Sequence, residues 1–519
     1  MGAMRKIEKM KYPNEVAESA KISSEYIKPA EDMAKALVDE FLPLCDIPHP
    51  SGHVEEMRQY LLDWGKKNNI QTALDDSGCV YMDIPATKGC EDFPKLIFQA
   101  HFDMVAVASK ENHDFDPLTS PIKPIVDEDE GVIHTGWKTS LGADDGHGVA
   151  TMLALAKMDK NSSDIKHGAI RLIFTYDEET TLQGCKLLNP EVVDSKYIIN
   201  LDSIYVGMII TSAAGGFYAT ARKKMSRMAP GKKSNVLSLE VWGLNGGHSG
   251  ADIHLNRGNT LAILSDFFEA CLAESINFNI RYIKSGILMN AIPAKMLAEV
   301  VIGYHDAQRA EEIAEEIIAA AKKKYSDGNT LEYKLEIREA SELPVLSISD
   351  SMKIYYLLTM LPIGVIEKFR DGQVRTSNNV GLLEIYDDVL NCEILYRSTD
   401  ADKIKNAIQT IQDVCEDNEI DFGIETIFAA WPKAEDNPLK DLVAEGYAKT
   451  SDIEVDTLDI HAGLENGYLL RKRPDAIMTS LGCDVVNEHS RKETLFTKSL
   501  PAYCASILYV LQNADKLDN

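Results

Sequence analysis

The sequence predicts an α/β protein in two parts: a mixed sheet flanked by helices, built from both ends of the chain, and an α+β domain inserted between them. Three observations carry this. At 519 residues the chain exceeds what one hydrophobic core sustains. Short apolar runs ending in an acid or a histidine recur at 95–101, 169–179 and 197–202, the pattern of buried parallel strands whose C-terminal ends line a cleft. From about residue 215 the chain changes to longer strands and helices with charged outer faces, and near 431 it returns to its first style. The expected boundaries are 1–214 and 431–519 for the discontinuous domain and 215–430 for the inserted one.

Residues 1 to about 28 are polar and read as a loosely held extension. Apolar spacing predicts helices over Ala30–Leu42 and Val54–Asn68, separated by the proline-punctuated turn IPHPSG, and a strand near Val80–Ile84. KLIFQA, Lys95–Ala100, is a buried strand delivering His101 and Asp103, close enough for the carboxylate to orient the imidazole. Asn112–Trp137, rich in Asp, Pro and Gly, reads as a long loop serving a site. It leads to LGADDGHG, Leu141–Gly148, a glycine-framed turn before the apolar helix Val149–Met158. Two adjacent carboxylates there cap the helix or, with Asp144 or Asp145 at the centre, hold a cation.

AIRLIFTY, Ala169–Tyr176, ends at Asp177, Glu178 and Glu179, and YIINL, Tyr197–Leu201, ends at Asp202. Like charges so close need compensation when buried. Gly215 and Gly216 mark a hinge into the inserted domain, where Val236–Val241, Ala262–Leu272 and Ala307–Tyr325 form strand and helices packed on one side of an antiparallel sheet. The order strand, strand, helix returns at Gly381–Glu384, Val389–Tyr396 and Ala401–Asp417, an internal duplication. GGHSG presents His248 on a turn, and Arg397 ends a strand. A helix at Asp441–Thr450, a glycine-rich loop HAGLENG from His461, a strand at Ala476–Leu481, His489 and a closing helix at Ser499–Leu511 complete the chain.

A net charge of −27 disfavours nucleic acid as a partner. No window approaches a membrane span and the N-terminus lacks a signal peptide, so the expected location is the cytoplasm, with no membrane partner. The nine cysteines show no CxxC spacing and are expected as buried free thiols. His101, Asp144, Glu179, Asp202 and His489 have the types and number for two cations sharing one carboxylate. Nitrogen and oxygen ligands suit zinc first, with manganese and cobalt as alternatives. A hydroxide bridging the cations would be the nucleophile, Glu178 the general base, His248 the stabiliser of an oxyanion and Arg397 a clamp on a terminal carboxylate.

The ordered set HFD at His101, GADDG at Gly142, DEE at Asp177, NLD at Asn200, GGHSG at Gly246, NAIP at Asn290, YRS at Tyr396, HAGLE at His461 and EHS at Glu488 resembles the aminoacylhistidine dipeptidases. These are the bacterial carnosinase-like branch of the dinuclear zinc aminoacylase and carboxypeptidase-type metallopeptidases. The resemblance implies a zinc-peptidase-like catalytic domain with an inserted lid, and a homodimer hydrolysing small peptides of the Xaa-His or β-alanyl-His type. It implies His101 and Asp202 on one Zn2+, Glu179 and His489 on the other, and Asp144 bridging. Asp103 would orient His101, and Glu178 would be the base. Asn290, Arg397 and the backbone around Gly463 would grip the carboxyl end, while His248 polarises the scissile carbonyl. Asp145 stands where the family usually has Asn, Ser490 and Arg491 replace an HSP-like continuation, and no Cys follows HAGLE. These differences bear on substrate preference. A tripeptide aminopeptidase or N-acyl amino acid deacylase is the alternative within the same superfamily, discriminated by the room beyond Arg397. A non-catalytic metal-binding assembly protein is the alternative outside it.

Overall fold

The computed structural model describes residues 20–112, 114–161, 165–340 and 344–517. The chain divides into two compact units, Met1–Ala213 with Trp431–Asp459 and Leu464–Asn519, and Ala214–Ala430 with Ile460–Gly463. Among the described residues no helix is long and apolar enough to cross a membrane. All nine cysteines are buried and free.

In the first unit α1 (Ile27–Cys45) and α2 (Glu55–Asn68) precede the strands β1 (Gln71–Leu74), β2 (Val80–Ile84) and β3 (Leu96–His101). The expected loose extension falls largely outside the described residues. Its described end is tied down: Ile22 bridges Ser451, Ser23 N–H donates to the Thr450 carbonyl at 2.8 Å, and α1 starts at Ile27. Helix α1 buries Met33, Leu37 and Phe41 along one face, each worth about 1.5–3 kcal/mol relative to exposure.

The stretch expected as one long loop carries a hairpin, β4 (Ile125–Asp127) and β5 (Val132–His134), extended by Thr494–Phe496 and Val485–Val486 into a small sheet. Three-residue strands among Asp and Gly give no alternation long enough to read. The helix α3 (Ala143–Asn161) is broken at Asp144 and Asp145 by non-helical backbone angles, so its regular part starts after the acidic pair. Its run Val149–Ala156, apolar but for Thr151, whose hydroxyl donates to the His147 carbonyl at 2.7 Å, is buried throughout and packs on α1 and β3.

Strands β6 (Ile170–Thr175) and β7 (Tyr197–Asn200) flank β3, both parallel to it, with the short α4 (Gln183–Leu187) between them in sequence. The eight-stranded sheet runs β1-β2-β6-β3-β7, then Ile477–Ser480, β8 (Met208–Ala213) and Asp456–Ile460. Three neighbouring parallel strands thus release His101, the Asp177–Glu179 turn and Asp202 at one edge. The helix Leu500–Gln512 packs against α1 and Pro438–Thr450.

The second unit is a nine-stranded antiparallel sheet with helices on it, beside a small two-stranded sheet of Arg227–Met228 and Val345–Leu346. Its elements are β9 (Gly215–Lys224), β10 (Arg227–Met228), β11 (Ser234–Trp242), α5 (Thr260–Ala273), β12 (Phe278–Gly286), β13 (Met296–Gly303), α6 (Ala307–Lys324) and β14 (Glu332–Glu339). Then follow β15 (Val345–Leu346), α7 (Ile348–Met360), β16 (Gly364–Lys368), β17 (Val374–Tyr386), β18 (Val389–Ser398), α8 (Ala401–Asp417) and β19 (Asp421–Phe428). Side chains cap the helices: Asn259 accepts from Leu261 and Ala262 N–H at α5, and Asp400 from Asp402 and Lys403 N–H at α8.

The sheet order β14-β11-β13-β12-β17-β18-β9-β19 is a palindrome of two equivalent halves. One half is β11-α5-β12-β13-α6-β14 and the other β9-α7-β17-β18-α8-β19; the first is inserted into the second after β9, and they join where Ser285 of β12 pairs with Leu383 of β17. The duplication is therefore larger than the repeat visible in sequence.

The glycine pair expected as a hinge lies inside β9, and both residues are buried. A Cβ on Gly216 would sit 2.0 Å from the Tyr396 carbonyl, and one on Gly215 2.3 Å from Ala430 N. These glycines permit close backbone packing. Gly216→Ala is expected to cost about 1–3 kcal/mol in denaturant unfolding, whereas Gly231→Ala, where a Cβ meets nothing within 4 Å, should leave stability unchanged.

Candidate metal centre

In the first unit, His101 ends β3 and is 1% exposed. Its Nδ1 faces two acceptors, the Asp103 carbonyl at 3.0 Å and Asp103 Oδ1 at 3.3 Å. The ring therefore donates from Nδ1 and turns Nε2 towards Asp144 Oδ1, 3.4 Å away. Asp103 is itself fixed: its carboxylate accepts from the Ser51 hydroxyl at 2.7 Å, Glu178 N–H at 3.0 Å and Glu179 N–H at 3.3 Å. One buried acid thus sets the imidazole and the acidic turn after β6 together.

The two carboxylates of the Asp-Asp turn separate in role of contact. Asp145 accepts from His101 N–H at 3.2 Å and from Gly148 N–H at 3.1 Å, so it caps the helix and ties it to β3. Asp144 points the other way, and a cis peptide joins the two. Its Oδ2 lies 3.2 Å from His489 Nε2, which also lies 2.8 Å from Glu179 Oε1.

Among the described residues three sets of potential ligand atoms cluster within 4.8 Å: His101, Asp144 and Asp202; Asp144, Glu179 and His489; and His101, Glu178 and Glu179. Asp144 belongs to the first two. The cluster grades from buried His101 to exposed His489, which leaves it open on that side. The donor chemistry fits divalent cations: imidazole nitrogens and carboxylate oxygens, no thiolate, and a Glu179 Oε1 with no hydrogen bond beyond the His489 ion pair.

Electrostatics say the same. Burial and then Asp202 push the Glu178 carboxyl well above its ordinary value, and burial and then Asp144 raise Asp202 to about 8. Burial opposes charging of His489, but Asp144 and Glu179 raise it to about 11; burial likewise opposes His101, which Asp103 and Asp144 nevertheless hold well above normal. Crowded carboxylates without cations keep protons in their place.

The second unit gathers its own group. His248 Nδ1 accepts from Gly250 N–H at 3.3 Å and Ala251 N–H at 3.0 Å, so its proton sits on Nε2. Ser249 N–H donates to the Asn290 carbonyl at 2.8 Å, and Asn379 braces the same loop through the Met289 and Ala291 carbonyls. A Cβ on Gly250 would meet the His461 carbonyl at 2.5 Å, His248 Cε1 at 3.1 Å and Arg397 Cζ at 3.3 Å, so these residues converge around one glycine. Gly463, on the same loop as His461, packs towards Phe428.

Arg397 is 3% exposed and stacks over Phe428. Burial lowers its pKa, with Tyr218 opposing, and its Nε has no hydrogen-bond partner. Among the described residues no carboxylate pairs with it. His461, bonded to the Ser377 hydroxyl at 2.7 Å, is held down to about 3 by burial and by Arg397.

Sequence reasoning assigned no part to Glu465. It is fully buried, and its Oε2 accepts from Thr175 at 2.5 Å and Gln99 at 2.6 Å, while Asn200 donates to Gln99 Oε1 at 2.8 Å. This polar layer crosses β6, β3 and β7 just beneath the ends that carry the cluster. The signal available was polar residues inside otherwise apolar strands, Gln99, Thr175 and Asn200, which need a buried partner.

Burial and Asp144 raise the Asp202 carboxyl, and Asp144 and Glu179 raise the His489 imidazole, so both are expected to carry protons at neutral pH without metal, and a bound cation would displace them. Titration calorimetry in buffers of different ionisation enthalpy should show net proton release, and affinity should fall as pH drops from 8 to 6. Uptake without proton release would contradict this charge state.

A family model described as "Peptidase family M28" matches residues 80–241, and one described as "Peptidase dimerisation domain" matches 239–329. The chain is 29% identical over 486 residues to the cytosol non-specific dipeptidase of Escherichia coli, covering 92% of this chain and 97% of that one. The crystal structure of aminoacylhistidine dipeptidase from Vibrio alginolyticus superposes with a TM-score of 0.83 at 26% identity, covering 96% of this chain and 98% of that one. A tripeptidase from Staphylococcus aureus shares the fold, at 16% identity, 93% and 99% coverage and a TM-score of 0.55. The protein is a hydrolase of the metallopeptidase class and, over more than nine-tenths of its length, is similar to the aminoacylhistidine dipeptidase branch that its motifs point to.

Proposed function

We propose that the protein hydrolyses dipeptides, of the Xaa-His or β-alanyl-His type, at a pair of divalent cations, zinc first. The observation that carries this is a shared carboxylate: Asp144 stands in two ligand groups, with Glu178 beside both. In this reading His101, Asp202 and Asp144 hold one ion, and Glu179, His489 and Asp144 the other. Bound there, the ions would supply Lewis acidity, lowering the pKa of water and polarising the carbonyl.

The chain's own residues do the rest. Asp103 keeps the His101 ring in the tautomer with Nε2 available. Glu178 acts as the carboxylate, and the burial that raises its pKa makes it a stronger base: it would accept the proton of the attacking water and deliver it to the nitrogen of the leaving amine. His248, with Nδ1 occupied, offers Nε2–H to the developing oxyanion. Arg397, desolvated and without an acidic partner, takes the terminal carboxylate, aided by Asn290 and the backbone around Gly463.

The names of the relatives support a dipeptide substrate, and the dimerisation-domain match supports a homodimer; the cytosol is the proposed location. Light scattering on the purified chain reads the oligomeric state. A panel of Xaa-His dipeptides, other dipeptides, tripeptides and acyl amino acids separates the dipeptidase from the tripeptidase and deacylase readings.

Glu178→Gln is expected to retain its metal content and lose about 10²–10⁴-fold in kcat. Turnover close to wild type would remove Glu178 as the base. Arg397→Lys is expected to raise KM about 10- to 100-fold with little change in kcat, since a point charge cannot replace the guanidinium fork. An unchanged KM would release Arg397 from carboxylate binding.

A further inference from the structure

One buried carboxylate next to the cluster is employed by none of the steps above. Glu493 is 2% exposed, and its two oxygens are occupied by backbone donors alone. Oε2 accepts from Leu141 N–H at 2.7 Å and Gly142 N–H at 2.9 Å, and Oε1 accepts from Asp144 N–H at 3.0 Å. These donors belong to the turn that presents Asp144.

Glu493 itself follows His489 by only Ser490, Arg491 and Lys492, and a turn closes that segment, with Glu493 N–H donating to the Ser490 carbonyl at 3.1 Å. The next residues, Thr494–Phe496, pair with β5, so the segment is anchored on its far side. A single side chain therefore joins the loop that carries His489 to the turn that carries Asp144.

The opposite side of that turn has a different anchor. Asp145 binds His101 N–H, and Asp103 fixes the His101 ring. Each half of the cluster has its own brace.

We propose that Glu493 is the positioning residue for the Asp144–Glu179–His489 half of the centre, setting the spacing between Asp144 and His489 without touching substrate or cation. The proposal rests on reading these residues as ligands. Three hydrogen bonds from backbone groups onto one side chain make the turn stiff, and partners of this kind govern ligand geometry rather than ligand identity.

The amide of Glu493→Gln cannot accept at both ends: one of its ends sets N–H against N–H. Cobalt or zinc titration of the metal-stripped full-length protein should show the equivalent held with Glu179 and His489 weakened about 10- to 100-fold and the other, which shares Asp144, weakened less. The fall in kcat should parallel that loss, with KM within about twofold. His489→Ala is the benchmark, because it removes the ligand itself. At the site that His489 serves, the double variant E493Q/H489A should bind no worse than H489A, since both changes act there on the same half.

Independent, multiplying losses at that site in the double variant, or wild-type affinity for both equivalents in E493Q, would overturn the proposal. If H489A keeps both equivalents, the ligand reading fails instead, which separates the two claims. Should E493Q not fold, Glu493→Asp serves: its shortened carboxylate should weaken the same equivalent, and wild-type affinity would overturn the proposal.

Discussion

Carboxylates confined together at the edge of a parallel sheet dominate this protein. Asp144, Glu178, Glu179 and Asp202 meet with the imidazoles of His101 and His489, and burial raises the cost of every negative charge among them. Such a cluster is stable only with positive charge inside it. Protons serve in the metal-free state, and divalent cations are the chemistry the donor set fits.

Much of the surrounding structure answers the need to hold these groups apart and aimed. Asp103 collects two backbone N–H groups and a hydroxyl while orienting His101; Asp145 ties the helix start to the strand; Glu493 ties the Asp144 turn to the His489 loop. Below them, Glu465 links polar side chains on three adjacent strands. These are buried polar groups with hydrogen bonds, the form in which an interior tolerates them. In the second unit Arg397 is the opposite case, a buried cation with no anion among the described residues to answer it, and for that reason it is the group assigned to an anionic end of the substrate.

The delivery of His101, Glu178, Glu179 and Asp202 to one edge was legible because it is local: an apolar strand followed at once by an acid or histidine announces both the element and its end. The order of the motifs carried the resemblance to the dipeptidases. What each residue does there is a matter of the proposed mechanism. The work of Glu493 was not legible, since a side chain that accepts bonds from backbone some 350 positions earlier leaves no spacing behind. Gly215 and Gly216 stand where the chain enters the second unit, and the Tyr396 carbonyl beside Gly216 adds what the sequence did not show, that these glycines also permit close packing. The hairpin at 125–134 was too short to alternate, and the duplication in the second unit was half hidden because one copy interrupts the other.

The most direct measurement is the anomalous diffraction of crystals of the metal-loaded protein. The account predicts two peaks flanking the Asp144 carboxylate, one beside His101 and Asp202 and one beside Glu179 and His489. A single peak away from Asp144, or none at this edge of the sheet with metal bound elsewhere on the chain, would contradict it.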